Sequence, residues 1–169
     1  MRSEWMLKQE VEHILAALMP ANRLACEISL KTGLRIGDVL ALKTADVLKE
    51  RFRVQEAKTG KRRTIKLTKG LQERCALIAG PVYVFSGRLD GRKPRTRQAV
   101  WKDLKRVREL MRLRVNLSPH SMRKIFAVEE YQKSGDLKRV QRLLNHSNEA
   151  VTMIYAMADA QVRRLQQKP

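Results

Sequence analysis

Apolar and polar residues alternate in one region of this chain, and that alternation constrains the fold more than any other feature. "RFRVQEA" (51–57) and "RTIKLT" (63–68) both follow a period of two, and "KTGKR" (58–62) lies between them. Two such runs joined by a short Gly-containing segment read as a β-hairpin. Helical spacing dominates elsewhere. "LKQEVEHILAALM" (7–19) places Leu7, Val11, Ile14, Leu15 and Leu18 on one face. Pro20 is well placed to start a second helix, which runs through Leu24 and Ile28 and stops at Gly33. A short third helix carries Arg35 to Leu42.

After the hairpin, "GLQERCALIA" (70–79) reads as a helix and "VYVF" (82–85) as a short strand. A Gly/Pro/Arg loop, "SGRLDGRKPRTR" (86–97), leads into a long basic amphipathic helix. That helix turns Val100, Leu104, Val107 and either Leu110 or Met111 inward. Ser118 followed by Pro119 is a helix start, and this helix continues to Gly135. Asp136 caps "LKRVQRLL" (137–144), and Ser147 caps "NEAVTMIYAM" (148–157). The expected class is mainly α with a small β-hairpin or sheet, an α+β fold. One domain over 1–157 is followed by a polar tail, 158–169, whose only large apolar residues are Val162 and Leu165.

Charge narrows the choice of partners. Thirty-six Lys and Arg against seventeen Asp and Glu give a formal net charge of +19 over 169 residues. Such an imbalance favours a polyanion, with nucleic acid first. No apolar stretch approaches the roughly 20 residues that span a bilayer. The start of the chain lacks the apolar core of a signal peptide. Cys26 and Cys75 lie singly in apolar helical patterns, so they read as buried, reduced thiols of a cytoplasmic protein.

Six polar residues are the candidates for chemistry: Arg35, Lys58, His120, Arg123, His146 and Tyr155. Each alone has an ordinary explanation. His120 and Arg123 share a helix face, as many surface pairs do. Lys58 suits a solvated turn, His146 a helix joint, and Tyr155 a half-buried helix position. Together they form a set of three cations, two imidazoles and a phenol, without paired carboxylates. Metal-dependent phosphoryl transfer draws on carboxylates to hold Mg²⁺. Without a metal, guanidinium forks can meet charge developing on phosphorus. A tyrosine can then serve as nucleophile and a lysine as proton donor.

"TGLRIGDVLAL", "EAKTGKRRTIKL", "SPHSMRKIFA" and "VQRLLNHSNEAVTMIYAMAD" resemble, in order and spacing, the signature boxes of the tyrosine recombinases, the phage-integrase family. The resemblance implies that family's catalytic-domain fold and breakage and rejoining of double-stranded DNA through a 3′-phosphotyrosyl link at Tyr155. It implies that Arg35 and Arg123 grip the non-bridging oxygens and that Lys58 protonates the leaving 5′-oxygen. His120 would accept the tyrosine proton or orient the phosphate, and His146 would hydrogen-bond it. Asp38 would support the site from behind. No metal or cofactor is implied, and self-assembly into dimers or tetramers on DNA is.

The sequence departs from the family pattern twice. Asn145 stands where the family usually has glycine, and Asn is the residue best able to replace Gly in a left-handed backbone. About thirty residues precede Arg35, too few for the family's N-terminal DNA-clamping domain, so no such domain is expected here. The competing activities are DNA relaxation of the type IB topoisomerase kind and a catalytically idle DNA-binding module. The intact set of six residues argues against the idle module.

Overall fold

The computed structural model describes residues 8–114 and 116–145. Within them the chain forms α1 (Lys8–Ala16), α2 (Pro20–Thr32), α3 (Ile36–Leu40), α4 (Thr44–Val47), β1 (Phe52–Gln55), β2 (Arg62–Ile65), α5 (Lys69–Ile78), α6 (Arg97–Leu110), α7 (Pro119–Ser134) and α8 (Leu137–Leu143). The α+β expectation therefore holds: within these residues the helices are accompanied by one antiparallel two-stranded sheet.

α2 lies at the centre and packs against α1, α3, α5, α6 and α7. Its Leu24, Ala25, Cys26 and Ile28 are all at most 2% exposed, and its charged residues Arg23, Glu27 and Lys31 stay out of that buried face. Pro20 sits in its first turn. Asp103 of α6 satisfies the helix entry, accepting from the Met19 amide at 2.8 Å and from Asn22 Nδ2 at 2.7 Å. Burial pushes the Asp103 carboxyl up. Hydrogen bonds from Asn22, Arg106 and Met19 outweigh that and hold it below the usual aspartate range.

Gly33 ends α2 at φ +68°, and its amide donates to the Ser29 carbonyl. A Cβ there would come within 2.5 Å of the Phe126 ring on α7, so both the backbone angle and the packing require glycine. The Ser29 hydroxyl donates to the Leu34 carbonyl at 2.7 Å and the Leu34 amide to Thr32 Oγ1 at 3.2 Å, fixing the turn that follows. Arg35 is thereby delivered as the residue preceding α3, with its carbonyl accepting from the Asp38 and Val39 amides.

In the hairpin, Phe52 pairs with Ile65, Arg53 with Thr64, Val54 with Arg63 and Gln55 with Arg62. Phe52, Val54 and Ile65 face inward. The turn closes when the Glu56 carbonyl accepts from Gly60 at 2.8 Å, and Gly60 takes φ +67°.

The structure corrects three local readings. "VYVF" is not a strand: Tyr83 forms only an isolated bridge with Lys43, and Ser86 another with Pro94. Lys43 directly precedes α4, so its chain coils away after one pair, and Pro94 has no N–H to extend the other. α4 itself has no counterpart in the sequence reading. On α6, Val100, Leu104 and Val107 are fully buried, but Leu110 is 68% and Met111 38% exposed. α6 ends with Leu110 on its exposed side, and Met111 lies past the helix end, before Arg112 takes φ +51°.

Both thiols are free and buried. Burial pushes Cys26 up to about 12 and Cys75 to about 11. Among the described residues no helix is long and apolar enough to cross a membrane.

Candidate active site

A groove of about 830 Å³ gathers side chains from four distant parts of the chain. Arg35 and Asp38 come from the start of α3, Lys58 from the hairpin turn, and His120 and Arg123 from the first turns of α7. All five line the same space, together with Arg97 and Gln98 from the start of α6 and with Ser118. His146 and Tyr155 lie outside the described residues.

Arg123 is fully buried, the largest side chain in the molecule's described interior to be so. Its Nη1 donates to the Gly33 carbonyl. Its Nη2 donates to the Leu144 carbonyl at 2.7 Å. Both acceptors are helix-end carbonyls, groups left without intrahelical partners. The guanidinium thus fixes its own plane while joining the ends of α2 and α8.

Arg35 Nη1 donates to Glu56 Oε2 at 2.6 Å. Glu56 has no exposed surface, and Arg63 Nη1 lies 3.4 Å from its Oε1. Asn145 Nδ2 donates to the same oxygen at 3.0 Å. Asn145 takes φ +53°, the left-handed conformation expected of a residue standing in a glycine position. Lys58 is exposed on the turn two residues after Glu56.

Asp38 supports the hairpin from below: its Oδ1 accepts from the Ala57 amide at 2.9 Å. Its Oδ2 is buried and has no hydrogen-bond partner among the described residues. Burial raises the Asp38 carboxyl above its ordinary range and the Glu56 charge adds to that, against the lowering effect of the Ala57 bond and of Arg35 and Arg123. Around the groove Arg35, Lys58, Arg63, Arg97 and Arg123 outnumber the two carboxylates Asp38 and Glu56. The excess is positive charge, which suits an anion whose charge grows during reaction. The N-terminus of α7 also borders the groove, and its dipole acts in the same direction.

Glu56 and Arg97 were not singled out from the sequence. A signal for Glu56 existed: the period that buries Phe52 and Val54 also turns residue 56 inward. For Arg97 there was none, because one more arginine in a basic loop carries no mark.

Some basic residues are also engaged within the scaffold. Arg95 Nε donates to Asn22 Oδ1 at 2.6 Å, and Arg106 holds Asp103 at 2.7 Å and the Ala17 carbonyl at 2.8 Å. Both arginines brace the scaffold, and Arg106 stays about half exposed.

The chain belongs to the Phage integrase family, whose profile matches residues 4–162. It is 29% identical over 161 residues to the probable integrase/recombinase YoeC of Bacillus subtilis, covering 92% of this chain and 88% of that one. It is 34% identical over 167 residues to the tyrosine recombinase XerD of Ralstonia nicotianae, covering 86% of this chain and 53% of that one. The structure of the lambda integrase catalytic core superposes with a TM-score of 0.69 at 25% identity, covering 85% of this chain and 91% of that one. A lambda integrase dimer bound to a COC′ core site superposes with a TM-score of 0.76 at 24% identity, covering 91% of this chain and 48% of that one. The chain thus spans about half the length of several relatives it matches.

Proposed function

We propose that this chain carries the catalytic domain of a site-specific DNA recombinase acting in the cytoplasm on double-stranded DNA. One observation carries the reading: Arg35 and Arg123, far apart in sequence, converge with Lys58 and His120 on one groove. The tyrosine recombinase name of its relatives and the DNA-bound lambda integrase and XerH structures that share its fold support it.

In this mechanism the scissile phosphodiester lies in the groove with its non-bridging oxygens toward Arg35 and Arg123. Tyr155 Oη attacks phosphorus. A P–O bond to the phenol forms as the P–O5′ bond breaks. The phenol proton passes to His120, and Lys58 gives a proton to the departing 5′-oxygen. His146 donates a hydrogen bond to the phosphate. The product is a 3′-phosphotyrosyl link and a free 5′-hydroxyl. Attack by a 5′-hydroxyl from another strand reverses the step, so the bond energy is conserved without ATP. Arginines and lysine, rather than a metal, neutralise the charge. Recombination requires that protomers assemble on paired sites, and the tail 158–169 is the proposed docking element.

The test uses a pool of random-sequence duplexes carrying nicks, which let the short fragment bearing the freed 5′-hydroxyl diffuse away and so trap the covalent intermediate. A protein–DNA band that persists in EDTA and vanishes with Tyr155→Phe is the expected result. A strict need for Mg²⁺, or a band unaffected by Tyr155→Phe, overturns the assignment.

A further inference from the structure

The hairpin's inward face raises a question that the catalytic set does not answer. Phe52 and Val54 are apolar, yet the next inward residue, Glu56, is a carboxylate with no exposed surface. Burying a carboxylate is expensive unless it is paired and hydrogen-bonded. Glu56 meets that condition through residues that all belong to the site or adjoin it.

Its Oε2 accepts from Arg35 at 2.6 Å. Its Oε1 accepts from Asn145 at 3.0 Å and is paired with Arg63 at 3.4 Å. Arg63 in turn donates to the Thr32 carbonyl at 2.7 Å, beside the Gly33 carbonyl that receives Arg123. Arg123 also holds the Leu144 carbonyl, beside Asn145. The bonds therefore close a ring: Glu56, Arg63, the end of α2, Arg123, the end of α8, Asn145 and back to Glu56. The hairpin reaches Asn145 a second time, since Lys61 Nζ donates to its carbonyl at 3.3 Å. Lys58 is two residues after Glu56, and His146 directly follows Asn145.

We infer that Glu56 is a positioning residue: its buried carboxylate orients Arg35 and ties the hairpin bearing Lys58 to the turn that leads into His146. It does not touch the phosphate. It acts by holding one nitrogen of Arg35, so that the rest of the fork keeps a set direction toward the groove. This inference rests on the recombinase reading for its catalytic consequence, but the tie itself does not depend on that reading.

Glu56→Gln keeps the shape and an acceptor oxygen but removes the charge that holds two arginines; Glu56→Ala removes both. The full chain is assayed on a duplex site recovered by covalent capture, with either a phosphodiester or an uncharged methylphosphonate at the scissile position. A group that serves an arginine's charge neutralisation matters less once a non-bridging oxygen is gone. Glu56→Gln is expected to slow covalent-complex formation by about 10²-fold on the phosphodiester and clearly less on the methylphosphonate, as Arg35→Ala does. Equal slowing on both substrates, or none, overturns the catalytic role. Amide hydrogen exchange on the same proteins without DNA reads the tie separately. Glu56→Ala should deprotect Gly60 and Asn145 while α2 stays protected; unchanged exchange at both amides overturns the tie. A wild-type chain that never forms a covalent complex would overturn the recombinase reading, while the exchange result still judges Glu56.

Discussion

Arg123 on α7 donates to the Leu144 carbonyl at the end of α8, 2.7 Å away, and so joins one side of the groove to the segment leading into His146. The same guanidinium bonds the Gly33 carbonyl. Replacing it with lysine keeps the charge but not the fork. Arg123→Lys is expected to lose covalent-complex formation by about 10²-fold or more. It should also lower stability by about 1–3 kcal/mol, since two buried carbonyls lose their donors. Cleavage rates and urea midpoints on the same preparation check both. A variant as active as wild type would remove Arg123 from the site.

Asp38 should behave in the opposite way toward stability. Its folded carboxyl is raised above the ordinary value of 3.8, mainly by burial. Above the folded value the ion is fully formed in both states, and its burial costs stability. As pH falls through the folded value toward 3.8, the folded chain takes up the proton first and the cost disappears. Asp38→Asn keeps an acceptor for the Ala57 amide. It is expected to match or exceed wild-type stability at pH 7, with any gain shrinking as the solution is acidified. Thermal melts across that range, with wild type alongside, give the answer.

Asp103 has the reverse sign. Its carboxyl is held low by its hydrogen bonds despite burial, so its contribution is fully present above 3.8 and is lost as pH falls through the folded value. Asp103→Asn should cost about 1–3 kcal/mol at neutral pH, because donors at Met19, Asn22 and Arg106 lose a charged acceptor. The gap to wild type should close below pH 3.8. A gap that widens in acid would show that some other group controls the α2–α6 junction.

Gly33→Ala combines a left-handed backbone angle with a Cβ 2.5 Å from the Phe126 ring. The expected loss is about 2–4 kcal/mol. Because the Gly33 carbonyl also receives Arg123, the folded fraction should cleave more slowly than wild type. A denaturant titration and an active-fraction measurement separate the two effects.

Much of this molecule was legible because helix punctuation is local. Pro20, Gly33, Ser118, Gly135 and Asp136 mark helix ends that the structure places within a residue or two. The hairpin followed from a period-two pattern just as local. "VYVF" misled because only Val84 and Phe85 of its apolar run are buried, and neither partner chain stays extended beyond one pair. Within the groove, Arg35, Lys58, His120 and Arg123 stood out through the resemblance of their surrounding boxes, not through spacing alone. Glu56 did not, because its role depends on Arg35, Arg63 and Asn145 meeting it in space. No local pattern records such a meeting.

The account turns on the groove being a site of metal-free phosphoryl transfer, with Lys58 as its acid. The most direct measurement compares Lys58→Ala with wild type on a captured site carrying either the normal 5′-oxygen or a 5′-bridging sulfur. Sulfur departs without needing a proton, so the acid becomes dispensable. The account predicts that Lys58→Ala slows cleavage of the oxygen substrate by about 10²-fold or more and cleaves the sulfur substrate at close to the wild-type rate. Equal slowing on both substrates would contradict it and leave Lys58 as a residue of the hairpin turn.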